Sequence, residues 1–327
     1  PTWTRVWVPT TDGEVVALDF SFPSTGHDST KPLYMVLHGL NGGSEEDYVM
    51  DFANRRNDEK STVVVMVARG LMDLPVKGWN VFHGARVKDA DVAAKAIRKG
   101  LGPNQVLAGV GYSMGAVVIS NYVARSGTDC HLDVAFAISG GIDMRPQFYY
   151  ERAKRLWQPM LAKELRDVFV VGKFGERYRQ RLSKEQMLEL MRATHISGID
   201  EHAVVTYNGF DDLMHYYSEM SARGDVPVDD NEAVSRISNT SIPFCVLHAL
   251  DDPLITWKTV AADSGPMYPP NLVKTGAGYL MILLTKRGGH VGWPLGLNAR
   301  ANKWQWMNDA AKHFVDAVVR AKESMQH

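Results

Sequence analysis

The stretch from Gln105 to Gly115 reads Gln-Val-Leu-Ala-Gly-Val-Gly-Tyr-Ser-Met-Gly and contains the pattern Gly-x-Ser-x-Gly centred on Ser113. Its apolar first part predicts a buried strand over Gln105–Gly111, and Met114–Arg125 predicts a helix that ends at Gly127. A serine on the turn between such a strand and helix exposes its hydroxyl beside free N–H groups at the helix start. Ser113 is therefore the candidate nucleophile, although the same pattern also arises by chance around a buried serine.

A serine hydroxyl becomes nucleophilic when a base takes its proton and a carboxylate orients that base. Among the eleven histidines, His290 is the candidate base, because it follows the last predicted strand in a small loop that begins with Gly288-Gly289. The acid is expected after the predicted strand Pro243–His248, where Asp251 and Asp252 are adjacent. We favour Asp252, which directly precedes a proline, and expect Asp251 to cap the next turn.

Acyl transfer also needs N–H donors for the negatively charged oxygen of a tetrahedral intermediate. One candidate is the backbone N–H of Met114, directly after the candidate nucleophile. The other is the N–H of Leu40, in the glycine-rich loop His38–Gly43 that follows a predicted strand. We expect His38 to orient this loop rather than to act as a second base.

The predicted elements alternate between strands and helices, except in a long helical stretch from about Asp143 to Thr240. This pattern predicts an α/β fold with a mostly parallel central sheet, helices on both faces and a helical cap insertion. Residues 1–142 and 241–327 would form the core, and residues 143–240 the cap. Further strands are predicted at Arg5–Val8, Glu14–Phe20, Leu33–His38, Thr62–Ala68, Leu132–Ser139 and Gly278–Thr285, and helices after a cap at Ser44, over Arg86–Lys99 and from about Arg300.

The composition excludes several classes of protein. Hydrophobic residues make up 45% and charged residues 22% of the 327 residues, which is typical of a globular chain and not of a disordered one. The net charge of −1 gives no support for nucleic-acid binding. The sequence contains no metal-binding motif, and the loop from Gly39 to Gly43 lacks the lysine of a phosphate-binding loop. We therefore expect neither a metal nor another cofactor.

The two cysteines cannot form a disulfide framework, so a reducing, intracellular compartment is favoured. The chain starts at Pro1 rather than at a methionine, so a removed anchor or targeting peptide is compatible with the sequence. Any stable membrane association is expected through such a segment.

Together these motifs resemble the α/β-hydrolases, and more narrowly the YheT-like branch, which includes membrane-anchored ABHD lipases and fatty-acid ester synthase/esterases. The resemblance implies that Ser113, Asp252 and His290 form a catalytic triad and that Leu40 and Met114 donate to the oxyanion. The chain departs from the family at Leu71–Trp79, where a Gly/Cys-rich continuation is usual, and this changes one wall of the expected pocket. The matching segments are His38–Ser44, Arg69-Gly70, Gly111–Gly115, Gly209-Phe210, Tyr216-Tyr217, Asp251–Leu254 and Gly289–Gly292.

The expected function is that of a serine carboxylic-ester hydrolase acting on small-molecule acyl esters, with lipid or fatty-acid esters favoured by the many apolar residues of the predicted cap. Two alternatives stay open. The same site can transfer the acyl group to an alcohol instead of water, or the chain can be a non-catalytic ligand-binding protein on a hydrolase scaffold.

The predicted cap has an uneven distribution of charge. Residues 145–192 contain twelve Lys/Arg and six Asp/Glu, whereas residues 193–240 contain two Lys/Arg and nine Asp/Glu. A basic, aromatic-rich helical stretch can lie on an anionic bilayer, which predicts peripheral contact with membranes or lipid surfaces. The alternative is that the basic half of the cap pairs with its acidic half.

Overall fold

The strand Leu33–Leu37 illustrates how the central sheet is buried on both faces. Its odd-numbered side chains pack in one apolar cluster and its even-numbered side chains in another, and all five residues are buried. Successive side chains of a strand point to opposite faces, so an uninterrupted apolar run is expected where helices cover both sides of a sheet. The sequence pattern of this strand therefore follows directly from its position.

The computed structural model describes residues 1–227, 234–298, 302 and 304–324. The strands in these ranges are β1 (Thr4–Pro9), β2 (Val15–Ser21), β3 (Leu33–Leu37), β4 (Val63–Val67), β5 (Leu107–Tyr112), β6 (Val134–Ile138), β7 (Phe244–Ala249) and β8 (Leu280–Thr285). They form one sheet in the order β1-β2-β4-β3-β5-β6-β7-β8. β2 is antiparallel to β1 and β4, and the other pairs are parallel. The predicted mostly parallel sheet is confirmed, with each strand within two residues of its predicted bounds.

The helices cover both faces of this sheet and fill the stretch between β6 and β7. The core helices before that stretch are α1 (Asp47–Asp58), α2 (Val87–Arg98) and α3 (Met114–Ser126). Between β6 and β7 the described residues contain no strand; the helices there are α4 (Glu151–Leu156), α5 (Gln158–Glu164), α6 (Gly175–Arg181), α7 (Lys184–Arg192), α8 (Ile196–Ile199) and α9 (Leu213–Glu219). Two π-helical segments lie among them, Leu165–Lys173 and Asp200–Thr206. α10 (Pro269–Leu272) and α11 (Gln305–Ser324) follow β7 and β8.

The predicted helix start at Ser44 is wrong. α1 begins at Asp47, with Glu46 as the residue before its first turn. The Ser44 hydroxyl instead donates a hydrogen bond of 2.6 Å to the buried carboxylate of Asp19, which also pairs with Arg5. A buried carboxylate needs donors, and this tertiary requirement determines the partner of Ser44.

The last helix begins later than expected. α11 starts at Gln305, and Arg300, where the helix was predicted to begin, lies outside the described residues. Within the described part of the chain, no helix combines the length and apolarity required to cross a bilayer.

The stretch between β6 and β7 supports a division of the chain that we retain as a proposal. We propose that residues 1–142 and 241–327 are the core and that residues 143–240 are the cap. The cap packs over the carboxyl edge of the sheet, because side chains of α5, α8 and α9 line the same cavity as Ser113, which follows β5.

Two glycines allow α3 to lie against the sheet at its first turn. A Cβ atom at Gly115 would lie 2.2 Å from the carbonyl oxygen of Leu37 and 2.6 Å from that of His38. A Cβ atom at Gly111 would lie 2.4 Å from the carbonyl oxygen of Gly115. Real side chains do not tolerate contacts this short with backbone atoms, so the turn between β5 and α3 requires glycine at both positions.

We predict that Gly115→Ala destabilises the protein by about 1–3 kcal/mol, since overpacking against backbone cannot be relieved by a rotamer change. Alanine normally stabilises a helix relative to glycine. A decrease in the free energy of unfolding would therefore come from the clash with the backbone and not from helix propensity. Gly102→Ala is the matched control, because a Cβ atom at that position would have no neighbouring atom within 4 Å, and its stability should change by no more than about 0.5 kcal/mol. Urea unfolding followed by circular dichroism measures both. Equal stability of the two variants would contradict the close approach at Gly115.

Candidate active site

Three residues singled out by the sequence meet at the carboxyl edge of the sheet. Ser113 follows β5, Asp252 follows β7 and His290 follows β8. Nε2 of His290 lies 2.8 Å from Oγ of Ser113, and Nδ1 of His290 lies 2.8 Å from Oδ2 of Asp252. The carboxyl ends of parallel strands share one edge, which brings these distant parts of the sequence together. The result is one continuous hydrogen-bonded chain from the carboxylate to the serine hydroxyl.

Ser113 occupies a strained backbone conformation. Its φ is 51° and its ψ is −115°, a combination that side-chain-bearing residues rarely adopt. Such strain persists only where the surrounding structure enforces it. Here the N–H groups of Ala116 and Val117 both donate to the Ser113 carbonyl oxygen, which holds the turn while the hydroxyl points away from it towards His290.

Asp252 and Asp251 occupy different positions. Asp252 is buried, and its Oδ1 accepts hydrogen bonds from the N–H groups of Leu254 and Ile255 at 2.8 and 3.0 Å, which leaves Oδ2 for His290. Oδ1 of Asp251 accepts from the N–H groups of Gly288 and Gly289, both at 2.9 Å. The adjacent acids therefore have separate structural partners: one contacts the imidazole itself and the other holds the loop that carries it.

The loop after β3 is held by buried hydrogen bonds. The N–H of Ala68 donates to Nε2 of His38, so the ring proton is on Nδ1, which donates to the carbonyl oxygen of Gly39 at 2.7 Å. Burial lowers the pKa of His38, which keeps the ring neutral in this arrangement. The N–H of Gly39 donates to the Tyr48 hydroxyl at 2.8 Å. His38 thus orients the loop, as the sequence analysis expected.

Leu40 and Met114 are close to Ser113. Both line the same cavity as Ser113, and a Cβ atom at Gly39 would lie 3.5 Å from the Cβ of Ser113. Met114 is the first residue of α3, so its N–H has no acceptor within the helix. The loop that carries Leu40 therefore lies beside the turn that carries Ser113 and Met114, so that both predicted oxyanion donors are near the candidate nucleophile.

The His290 loop has a further anchor that the sequence analysis did not identify. Ser139 is buried directly after β6, and its hydroxyl accepts a hydrogen bond of 3.0 Å from the N–H of Val291. Val291 has a φ of 49°, which is unusual for a β-branched residue. A polar residue at the carboxyl end of a central parallel strand was the available signal, but its partner is 152 positions away.

His248 lies nearer the candidate site than its position within a predicted strand implied. Its Nε2 is 4.0 Å from Oδ2 of Asp252 and 3.2 Å from the carbonyl oxygen of Ile255. Burial lowers the pKa of this histidine, which favours a neutral ring that donates to that carbonyl. His248 therefore packs behind the acid without lying between it and the serine.

Residues of the stretch between β6 and β7 also hold the loop that carries Asp252. The Gln147 side chain donates to the carbonyl oxygen of Leu254 at 2.8 Å and accepts from the N–H of Thr256 at 3.0 Å. The hydroxyl of Tyr150 donates to the carbonyl oxygen of Asp252 at 3.2 Å. These partners are more than a hundred positions apart in the sequence, so no local pattern could have identified them.

A cavity of about 300 Å³, here called the outer cavity, opens above Ser113 and His290. Exposed Glu46 and Glu164 lie on its wall, which places its mouth towards solvent. Most of the remaining wall is apolar and comes from both the core and the stretch between β6 and β7: Met144, Leu161, Leu165, Ile196, Met220, Leu254 and Ile255. The cavity thus offers an apolar chamber directly over the serine hydroxyl.

Among the described residues, no group of three or more His, Cys, Asp or Glu side chains is arranged to hold a metal ion. Cys130 and Cys245 are free thiols, the first half-buried and the second buried. Burial raises the pKa of the Cys130 thiol to about 11 and that of the Cys245 thiol to about 12, so both are protonated at neutral pH.

Comparison with curated proteins finds similarity over most of the chain. A monoacylglycerol lipase of Saccharomyces cerevisiae is 24% identical over 278 residues, covering 83% of this chain and 57% of the yeast protein. YheT of Escherichia coli is 25% identical over 306 residues, covering 93% and 82%. Human phospholipase ABHD3 is 22% identical over 319 residues, covering 95% and 71%. The chain thus spans little more than half of the yeast relative. No family model matches the sequence.

Comparison with solved structures finds the same fold. The esterase Est1E from Butyrivibrio proteoclasticus superposes with a TM-score of 0.53 at 12% identity, covering 97% of this chain and 99% of its own. The 2,6-dihydroxy-pseudo-oxynicotine hydrolase superposes with a TM-score of 0.60 at 12% identity, covering 98% and 69%. The predicted α/β-hydrolase fold and the resemblance to the YheT and ABHD proteins are therefore confirmed.

Proposed function

We propose that this protein, with its α/β-hydrolase fold, is a serine carboxylic-ester hydrolase that acts on acyl esters through Ser113, His290 and Asp252. The observation that carries the proposal is the continuous hydrogen-bonded chain of these three side chains at the floor of an apolar cavity. The names of the curated relatives, which include a monoacylglycerol lipase and a phospholipase, support ester hydrolysis.

In the proposed mechanism, Nε2 of His290 takes the proton of the Ser113 hydroxyl as its oxygen attacks the ester carbonyl carbon. Asp252 accepts a hydrogen bond from Nδ1, which fixes the tautomer and stabilises the imidazolium that forms. The backbone N–H groups of Leu40 and Met114 stabilise the negative charge on the former carbonyl oxygen.

Collapse of the tetrahedral intermediate breaks the bond to the alcohol, which leaves with the proton that His290 carries. His290 then takes a proton from water, and the resulting attack on the acyl-enzyme releases the acid and restores the Ser113 hydroxyl. The apolar wall of the outer cavity supports a hydrophobic acyl group. Transfer to an alcohol uses the same steps with an alcohol in place of water, so an ester panel with and without added alcohol separates the two activities.

The surface beside the cavity mouth supports peripheral contact with lipid. Tyr149, Leu156 and Met160 are 72%, 64% and 67% exposed. The ion pairs of the basic residues in 145–192 are made within that stretch or with Asp143. Within the described residues none of these basic side chains pairs with an acidic residue of 193–240. The apolar surface and the excess positive charge thus occur together, as a weak membrane-docking surface requires.

The first test is of the nucleophile. We predict that Ser113→Ala removes ester hydrolysis, with a loss of order 10⁶ in kcat, because no other group supplies the attacking oxygen. Labelling by a fluorophosphonate probe should occur in the wild type and disappear in the variant, while the thermal unfolding curve is retained. Turnover near the wild-type level in the purified variant would show that Ser113 is not the nucleophile. A wild-type protein that neither reacts with the probe nor hydrolyses esters would indicate a non-catalytic binding protein.

The second test distinguishes the two adjacent acids. Asp252→Asn is expected to lower kcat by about 10⁴, since the amide favours the wrong tautomer of His290. Asp251→Asn is the matched control: its remaining oxygen can still accept from Gly288 and Gly289, so we expect a much smaller loss. Steady-state kinetics on one soluble ester decide the matter, and a more severe loss in Asp251→Asn would reverse the assignment.

The third test concerns the lipid surface. We predict sedimentation with anionic but not with neutral liposomes, weakening as salt rises, because each basic residue near the surface contributes about 1 kcal/mol. Combining Leu156→Gln with Met160→Gln should abolish binding, whereas Trp7→Gln, at another exposed apolar position on the edge strand β1, should not. Binding that ignores lipid charge, or the absence of binding, would remove the proposal of membrane contact.

A further inference from the structure

A second, smaller cavity of about 60 Å³ adjoins the outer cavity. We call it the inner cavity. That volume is room for roughly four water-sized groups. The two cavities have six wall residues in common: Leu40, Asn41, Met114, Leu165, Ile196 and Asp200. A group bound at Ser113 is therefore next to the inner cavity, which lies beyond the two predicted oxyanion residues.

Asp200 is a carboxyl group on the boundary between the two cavities. Asp200 is half-buried, and it lines both cavities. The Tyr217 hydroxyl donates to its Oδ2 at 3.1 Å, and no Lys, Arg or His lies within ion-pairing distance in the described part of the chain. Burial raises the pKa of Asp200 to about 7, so a large fraction of the group is a neutral carboxylic acid, which can donate a hydrogen bond as well as accept one.

His83 lines the inner cavity from the other side. It is buried, and neither ring nitrogen has a hydrogen-bond partner among the described residues; Nδ1 is completely shielded. Burial lowers the pKa of His83 well below its ordinary value, and the nearby charges of Arg86 and Arg69 lower it further. The neutral ring has one N–H donor and one acceptor. Because Nδ1 is shielded, Nε2 is the ring nitrogen that a ligand in the cavity can reach, and a hydrogen bond to Nε2 would compensate for its burial.

The rest of the inner wall is mostly apolar, and its other side chains with a polar atom are Asn41, Tyr178 and Tyr216. The Tyr216 hydroxyl already accepts a hydrogen bond from the N–H of Gly84. The other wall residues that are not common to the two cavities include Leu71, Phe82, Phe169, Tyr178, Ala203 and Tyr216. A few polar groups set in an apolar wall orient a ligand and select for it.

Two features of the backbone point to the same place. Both π-helical segments contribute to the inner wall, Leu165–Lys173 through its first turn and Asp200–Thr206 through Asp200 itself. π-helical turns are rare and occur frequently at functional sites. Leu71 begins the segment at which the sequence departs from the family it resembles, so this wall is where a distinct substrate preference would arise.

We propose that the inner cavity binds a hydroxyl or oxo oxygen carried on the acyl chain of the ester, with Asp200 and His83 as its hydrogen-bonding partners. This inference rests on the proposed ester hydrolysis and names its substrate class. The acyl group is the occupant because it stays attached to Ser113 after the alcohol has left. In this arrangement the alcohol side of the ester lies towards the mouth of the outer cavity, where the exposed residues Glu46 and Glu164 are.

The selectivity follows from the cost of leaving buried polar groups unpaired. An ester whose acyl chain is wholly apolar leaves both His83 and Asp200 without a ligand partner, whereas an oxygen at the right position satisfies them. Sites built to hydrogen-bond a substrate hydroxyl discriminate strongly against the analogue that lacks it. The position of the oxygen should matter as much as its presence, since the two groups are fixed.

The test uses ethyl esters of one chain length in which a single hydroxyl moves from carbon to carbon along the acyl chain, together with the unsubstituted ester. We expect kcat/KM for one position to exceed that of the unsubstituted ester by at least about tenfold in the wild type. His83→Phe and Asp200→Leu should bring this ratio to about one, whereas His83→Gln and Asp200→Asn, which keep hydrogen-bonding groups, should retain part of it. The ratio is the readout because a general loss of activity lowers both esters equally.

Several outcomes would overturn the inference. The first is that the wild type hydrolyses all hydroxylated esters no faster than the unsubstituted ester. The second is that the preference for a hydroxylated ester is retained in both His83→Phe and Asp200→Leu. The third is that the wild type prefers only esters whose hydroxyl is on the alcohol. Hydrolysis of plain esters in those cases leaves the proposed ester hydrolase intact, whereas a wild type without any ester hydrolysis overturns both proposals. If the two larger replacements do not fold, calorimetric binding of hydroxylated against unsubstituted free acids to Ser113→Ala protein supplies the same ratio, and equal affinities count against the inner cavity as the oxygen site.

Discussion

The structure depends above all on the close approach of α3 to β3 and β5 at Gly111 and Gly115. Because neither glycine has a side chain, the helix start can lie against the backbone carbonyl groups at the end of β3. The chain between them must reverse within a few residues, and this forces Ser113 into its left-handed backbone conformation. A helix displaced outward would release that strain and carry the hydroxyl away from His290. The position of the serine oxygen is thus a consequence of backbone packing.

The hydrogen bonds around this turn form a framework in which each candidate residue is held by others. Asp251 holds the glycines before His290, Ser139 holds the residue after it, and the N–H groups following Asp252 occupy one oxygen of that carboxylate. The residues directly before and directly after His290 are therefore held by hydrogen bonds, and the imidazole itself is held by Asp252. Preorganisation of this kind is what allows a weak nucleophile and a weak base to act together. The contacts of Gln147 and Tyr150 extend this framework into the proposed cap. Hydrogen bonds therefore join the proposed cap to the loop that carries Asp252.

Several buried polar groups near the cavities lack a full set of hydrogen-bond partners. His83 and His248 each have one ring nitrogen without a hydrogen-bond partner among the described residues. Asp200 has no Lys, Arg or His side chain within ion-pairing distance in the part of the chain that the structure describes. Such groups oppose folding unless a ligand or water meets them. Buried atoms without a partner also occur away from the cavities, for example Nε1 of Trp3 and Nε of Arg56. What distinguishes the groups beside the inner cavity is that two π-helical segments lie next to them.

The positions of the strands along the chain and the mostly parallel character of the sheet could be predicted from the amino-acid sequence alone, because a sheet covered on both faces requires uninterrupted apolar runs that are easy to recognise. The order of the strands within the sheet was known only from the structure. Ser113, His290 and the adjacent pair Asp251 and Asp252 were also accessible from the sequence, since a serine between two glycines, a histidine after glycines and an acid after a strand are local patterns. The role of Ser44 was misassigned, because its partner Asp19 lies on another strand. The roles of Ser139, Gln147, Asp200 and His83 could not be found without the structure, because they depend on partners and cavities assembled from segments far apart in the chain. Which acid meets the imidazole, and where polar groups enter the apolar pocket, is determined by tertiary packing, because burial and hydrogen-bond geometry are properties of the folded chain and not of any segment within it.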